Sequence, residues 1–248
     1  MLIRREAGMV VADAWGPGGS WSLEQLPELL GASDSPADLD PLTHPLLEEA
    51  IRRCPGLRLG RTQLVWEALA AAVLEQRVTG KEAWRAWSTL VRRFGEPAPG
   101  PAPKGMAVPP AAETWRRIAS WDWHTAGVDG ARSSTLVRAA ALADRFEGVS
   151  SEIADARLRS LPGVGLWTSA EVRQRAHGDP DAIAIGDYHL SSFVGWALTG
   201  EAVDDDTMIE LLEPWRGQRQ RVVRLLYSIV APPPRRGPRA TISDHRQR

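Results

Sequence analysis

From residue 61 to residue 230 apolar residues recur at three- and four-residue intervals, and no strand alternation of useful length interrupts them. That period places the apolar residues on one face of each segment, so the fold it permits is mainly α. Leu64, Val65, Ala68, Leu69, Ala72 and Val73 make one such face. Thr79 with Glu82 three residues later has the form of a capping box. Trp84, Trp87, Val91 and Phe94 follow as a stripe that Gly95 ends, and these tryptophans are expected in the core. Further helices are expected near 114–119, 134–146, 152–160 and 166–176, from Asp187 onward, at 206–213 and from 214 to 230.

Three segments stand apart from this core at 61–230. Residues 1–60 join a β-like run at 9–14, a Gly/Pro turn at 16–19 and an acidic, proline-containing stretch at 33–44, which reads as a short, reduced N-terminal α+β piece. Residues 96–110, EPAPGPAPKGMAVPP, cannot continue a helix and are expected to form an extended surface loop or linker. Residues 231–248 are polar, basic and proline-rich, the composition of a disordered tail.

Composition closes off several chemistries. No stretch approaches the roughly 18 apolar residues of a membrane span, and no secretory signal opens the chain, so a cytoplasmic location without membrane partners is expected. The single cysteine, Cys54, excludes an intramolecular disulfide, a four-cysteine zinc site and a cysteine-ligated iron–sulfur cluster. Lysine occurs only at Lys81 and Lys104, leaving few candidates for an amine nucleophile. The chain has 11 Trp against 3 Phe and 2 Tyr, so indole must serve as core filler, and where it is not core, as a stacking surface.

Residues 161–165, LPGVG, break one helical pattern before 166–176 resume it. Pro162 ends the first helix, while Gly163 and Gly165 permit torsions and approaches that a Cβ would obstruct. Amides at the start of the second helix are then left pointing outward, an anion site suited to a nucleic-acid phosphate, to which Arg173 and Arg175 could add charge. A plain turn between helices reads equally well from these five residues alone. Asp187 follows an apolar run and Gly186 at the start of another helix, placed to accept from helix amides and to stay ionised; its bland alternative is an ordinary N-cap.

Taken together, LPGVG-x-W-T at 161–168 and GDYHL at 186–190 resemble the hairpin and the catalytic-aspartate segment of the helix-hairpin-helix superfamily of DNA base-excision glycosylases. PGLRL at 55–59, VLEQRV at 73–78 and PWR at 214–216 resemble its 3-methyladenine DNA glycosylase II branch, and the similarity covers roughly 55–230. The resemblance implies a helix-hairpin-helix glycosylase core that flips a damaged nucleotide out of double-stranded DNA and hydrolyses its glycosidic bond. Asp187 would be catalytic, with Trp167, Trp215 and Glu171 in the base pocket, Glu171 standing where close relatives carry an aromatic residue. Gly163, Val164, Gly165, Thr168, Gln76 and Arg77 would meet DNA, Gln76 and Arg77 in the loop that fills the gap left by the flipped base, where the family usually inserts an apolar side chain.

Bifunctional relatives carry a lysine just after the hairpin; here that position is Trp167, which implies a monofunctional, water-using enzyme. No cofactor is implied beyond a metal ion that hairpin backbone carbonyls can hold in such proteins, and none bound by side chains. The chain is expected to act as a monomer associated with the nucleoid. The competing reading is a non-catalytic helix-hairpin-helix DNA-binding module. The net charge of −1 gives no hint of a DNA partner, and acidic residues such as Asp204 to Asp206 are expected to face away from it.

Overall fold

The computed structural model describes residues 1–36, 39 and 44–233. The tail expected at 231–248 lies, past residue 233, outside the described residues, as does part of the 33–44 stretch. The chain opens with the antiparallel pair β1 (Leu2–Glu6) and β2 (Met9–Asp13), Leu2 opposite Asp13. Ala7 and Gly8 both have positive φ, the turn whose twist matches a two-residue hairpin. The strand pair is followed by α1 (Gly19–Glu24), α2 (Leu26–Leu29) and α3 (Pro45–Arg53).

The helical core then runs through α4 (Val65–Glu75), α5 (Gly80–Phe94), α6 (Ala112–Arg116), α7 (Ser120–Ala126), α8 (Gly130–Ala140), α9 (Ser151–Arg159), α10 (Leu166–His177), α11 (Leu190–Thr199), α12 (Asp205–Leu212) and α13 (Arg219–Ile229). The capping box at Thr79 and Glu82 forms in full. Asp129 caps α8 and therefore starts it at 130, ahead of the expected 134; beyond α8 the chain tightens into a 3-10 turn, Ala143–Arg145. The helix expected at 114–119 is α6, which ends at Arg116, and α7 follows it from Ser120.

Residues 96–110 are not a plain linker. They fold back through β3 (Glu96–Pro97) paired with β4 (Ala107–Val108), and their tip packs on the N-terminal piece. A Cβ on Gly100 would lie 2.4 Å from the Trp15 ring, and one on Gly16 2.8 Å from Pro99. Trp84 is also displaced from its expected place: it is 66% exposed. The buried line of α5 runs through Ala83, Ala86 and Leu90, and Trp84 stands one residue, about 100°, round the helix from it. Trp87 does reach the core, where it joins Trp66 and Trp123 around the fully buried Trp115.

Two apolar clusters make up the interior. One gathers α4, α5, α8 and α9 about Leu69, Val73, Leu90, Leu136 and Leu158; the other gathers α3, α11, α12 and α13 about Leu47, Phe193, Met208, Leu212 and Leu226. Because α3 packs on α13, the packing crosses residue 60. α10 is shared: Val172 and Ala176 belong to the first cluster and Ala170 to the second. Its remaining face, Glu171, Gln174 and Arg175 at i, i+3 and i+4, lines a cleft together with α13 and the loop after α3.

Candidate active site

The hairpin enters α10 through Leu161 and Val164, both buried, which fix the loop to the core. Gly163 has φ +95, and a Cβ there would fall 2.2 Å from Thr135 Oγ1. Gly165 is the N-cap of α10 and offers no side chain to its first amides; a Cβ there would meet nothing within 4 Å. The first amides of α10 thus receive no side-chain cap, as an anion site requires.

Three of the residues expected at the DNA surface, Gln76, Gly163 and Thr168, bond to one another within the fold. Thr168 is 2% exposed, and its Oγ1 accepts from Gln76 Nε2 at 2.8 Å. The same Gln76 nitrogen donates to Gly163 O at 2.9 Å, so Gln76 joins the end of α4 to the hairpin. Arg132, buried, donates to Leu74 O and braces that same end. Arg77 is left exposed at the tip with φ +54. Arg173 and Arg175 do not reach toward the hairpin: Arg173 pairs with Asp179 at 2.9 Å, and Arg175 with Glu75 and Glu171.

Asp187 follows Gly186, whose φ of +87 turns the chain just ahead of α11. Its Oδ1 accepts from His189 N at 2.8 Å and Leu190 N at 3.0 Å, and its Oδ2 accepts from the Trp167 indole N–H at 3.2 Å. Helix and indole donors together fix the carboxylate at the lip of the cleft. Asp205 Oδ2 accepts from Gly186 N at 2.8 Å and fastens the aspartate turn to α12.

The cleft, about 430 Å³, brings together Asp187, Glu171, Arg175, Gln174, Gln220 and Tyr227, with Arg58, Leu59 and Gly60 contributed by the loop after α3. That loop is held on the C-terminal end of α10 by Thr62 N and Gln63 N, which donate to Arg175 O and Ala176 O. Of the expected pocket residues, Glu171 lines the cleft and Trp167 reaches Asp187. Trp215 does neither: it is 6% exposed in the second cluster, edge-on to His44. The aromatic side chain of the cleft is Tyr227, stacked on Phe193 with centroids 3.9 Å apart. Burial, and then the charge of Asp187, push its phenol above the ordinary range. Neither lysine lines the cleft.

Among the described residues no group of three or more His, Cys, Asp or Glu is placed to hold a metal ion. An ion at the hairpin would rest on carbonyls, and those of Leu161, Pro162 and Gly163 already accept from Val164 N, from Thr135 and Arg138, and from Gln76. Among the described residues, no helix is long and apolar enough to cross a membrane.

No family model matches the chain. It is 32% identical over 151 residues to a probable bifunctional transcriptional activator/DNA repair enzyme AlkA of Mycobacterium tuberculosis, a match covering 59% of this chain and 30% of that relative's length. The chain thus spans about a third of the curated relative. Among solved structures it is similar to a 3-methyladenine DNA glycosylase from Archaeoglobus fulgidus, with a TM-score of 0.69 and 20% identity over 89% of this chain and 77% of the other. It is also similar to an 8-oxoguanine glycosylase/lyase of Clostridium acetobutylicum, with a TM-score of 0.69 and 12% identity over 92% and 85%. The fold is that of the helix-hairpin-helix DNA glycosylases.

Proposed function

We propose that this chain is a monofunctional DNA N-glycosylase of base excision repair, a monomer that flips an alkylated purine out of double-stranded DNA and hydrolyses its glycosidic bond to leave an abasic site. The observation that carries this reading is Asp187, held by three N–H donors at the lip of a base-sized cleft, one of them on the first turn of the hairpin helix. Departure of the base leaves positive charge on the sugar, and a fixed carboxylate stabilises that charge and orients the attacking water. The position where a lyase would carry its amine is Trp167, which here holds Asp187. Arg77, exposed on the loop that Gln76 fastens to the hairpin, is the candidate to enter the gap left by the flipped base. Purified protein incubated with methylated duplex DNA is expected to release free base and leave alkali-labile sites, without nicking the strand. Salt-dependent duplex binding with no base release would instead identify a non-catalytic DNA-binding module.

The two hairpin glycines separate folding from grip. Gly163→Ala is expected to cost about 1–3 kcal/mol of stability, because the methyl would collide with Thr135 Oγ1. Gly165→Ala, with open space around the methyl and φ −101, is expected to melt like the parent yet bind duplex DNA more weakly, since the methyl stands where a phosphate must approach. Thermal melts beside binding titrations check both. Equal melting losses in the two variants would remove the distinction.

A further inference from the structure

Trp84 has no part in the core or in the proposed reaction. Its ring is 66% exposed on the second turn of α5, while the buried line of that helix runs past it through Ala83, Ala86 and Leu90. Lys81, three residues earlier and therefore on a neighbouring position of the same face, is exposed as well. Among the described residues neither side chain takes part in a hydrogen bond, an ion pair or a ring contact. Glu82, the one acid of α5, is turned back into the capping box at Thr79. Of the elements packed on α5, α7 pairs its Asp122 with Arg93, and α4 pairs Glu75 with Arg175 and carries Glu67 at its far end. The start of α5 thus presents an ammonium and an indole with no carboxylate set against them. Its place is fixed by the loop before it, which follows an end of α4 held by Gln76 on the hairpin and by Arg132 of α8. Four residues of chain span at most about 14 Å, so Lys81 stands within that distance of Arg77, and the helical rise keeps Trp84 within about 19 Å. Phosphates of one strand follow one another about every 3.4 Å along the duplex axis. A duplex whose gap Arg77 fills therefore passes this face within about five base pairs of the lesion.

We propose that the first two turns of α5 form a second DNA contact, in which Lys81 pairs with a phosphate and the Trp84 ring packs on the sugar–phosphate backbone of the strand opposite the lesion. An indole covers a deoxyribose face with its apolar body and can donate its N–H to a phosphate oxygen, and both contacts are blind to base sequence. The inference rests on the glycosylase reading above. Along the chain Arg77 stands between Gln76, bonded to the hairpin, and the start of α5. The hairpin amides take the strand with the flipped nucleotide, and the far side of Arg77 is left to the complementary strand. The test compares binding of the full chain to a duplex and to a single strand that carry the same tetrahydrofuran abasic analogue, beside base release from methylated duplex. On the duplex, Trp84→Ala is expected to weaken affinity about fivefold. Lys81→Gln is expected to lower the slope of log affinity against log salt by about 1. Both variants should melt like the parent and bind the single strand like the parent. Neutral methylphosphonate linkages in the complementary strand around the lesion are expected to abolish the difference between Lys81→Gln and the parent. Variants that match the parent on the duplex, that lose as much on the single strand, or whose loss survives the methylphosphonates would overturn the assignment while leaving the glycosylase reading intact. A parent protein that releases no base from the methylated duplex would overturn that reading itself, and the assignment with it.

Discussion

Asp187→Asn is expected to cut base release by about a thousandfold while leaving duplex affinity and melting temperature near those of the parent. The asparagine Oδ1 can still accept from His189 N and Leu190 N, so the start of α11 keeps its cap. Lost are the negative charge and the acceptor for the Trp167 indole, where an amide nitrogen would face a second donor at a cost of about 1 kcal/mol. Trp167→Phe is the informative companion, because it removes the donor and keeps the charge. Its loss is expected to be about tenfold, since one hydrogen bond from an uncharged donor positions the carboxylate but does not supply its field. Base-release rates for the two variants on the same methylated duplex decide the matter. An Asp187→Asn protein within tenfold of the parent would remove Asp187 from the chemistry.

What the sequence revealed of this site follows the range over which its signals act. Caps and turns are written within four residues, and Thr79 with Glu82 and the hairpin at 161–165 were legible for that reason. Glu147 was not: it receives Val65 N and Trp66 N at the start of α4 from some 80 residues away, and nothing local announces it. The same limit explains the arginines of α10, whose acidic partners Glu75 and Asp179 lie outside the helix and draw them away from the phosphate role. Trp215 was assigned to the pocket by the resemblance of its PWR segment. It is buried in the second cluster and meets His44, at the start of α3, edge-on, a contact no local pattern encodes. Tyr227 lies on the cleft face of α13, and only the packing of α13 beside α11 shows that this face meets Asp187. The aspartate and the hairpin are compact motifs; the wall around the base is assembled from α10, α13 and the loop after α3.

Asp34→Ala is expected to destabilise the protein by about 3–5 kcal/mol, more than any change at the cleft itself. Asp34 and Arg221 have side chains 4% and 2% exposed and meet through both carboxylate oxygens. Asp34 Oδ2 also accepts from Leu59 N at 3.0 Å, and Arg221 Nε donates to Gln218. Removing the carboxylate leaves a buried guanidinium uncompensated and the Leu59 amide without its acceptor, and water cannot readily reach either. Burial opposes ionisation of Asp34, but the Arg221 and Leu59 hydrogen bonds and the charges of Arg221 and Arg58 outweigh it and hold the carboxyl below its ordinary range. The folded state therefore binds this proton more weakly than the unfolded chain. The stability gained is present above the ordinary aspartate pKa of 3.8 and is lost as pH falls below it toward the depressed folded value. Urea unfolding across the acid range is expected to show the parent losing stability in that window and the variant changing less. The loss should reach the reaction as well. Leu59 borders the cleft, and α13, which carries Arg221, supplies Gln220, Val223, Arg224 and Tyr227 to its wall. Base release by the variant is therefore expected to fail at temperatures the parent tolerates and to return on cooling. An unfolding free energy within about 1 kcal/mol of the parent's, the range of an exposed pair, would mean that this ion pair does not join the N-terminal piece to the cleft.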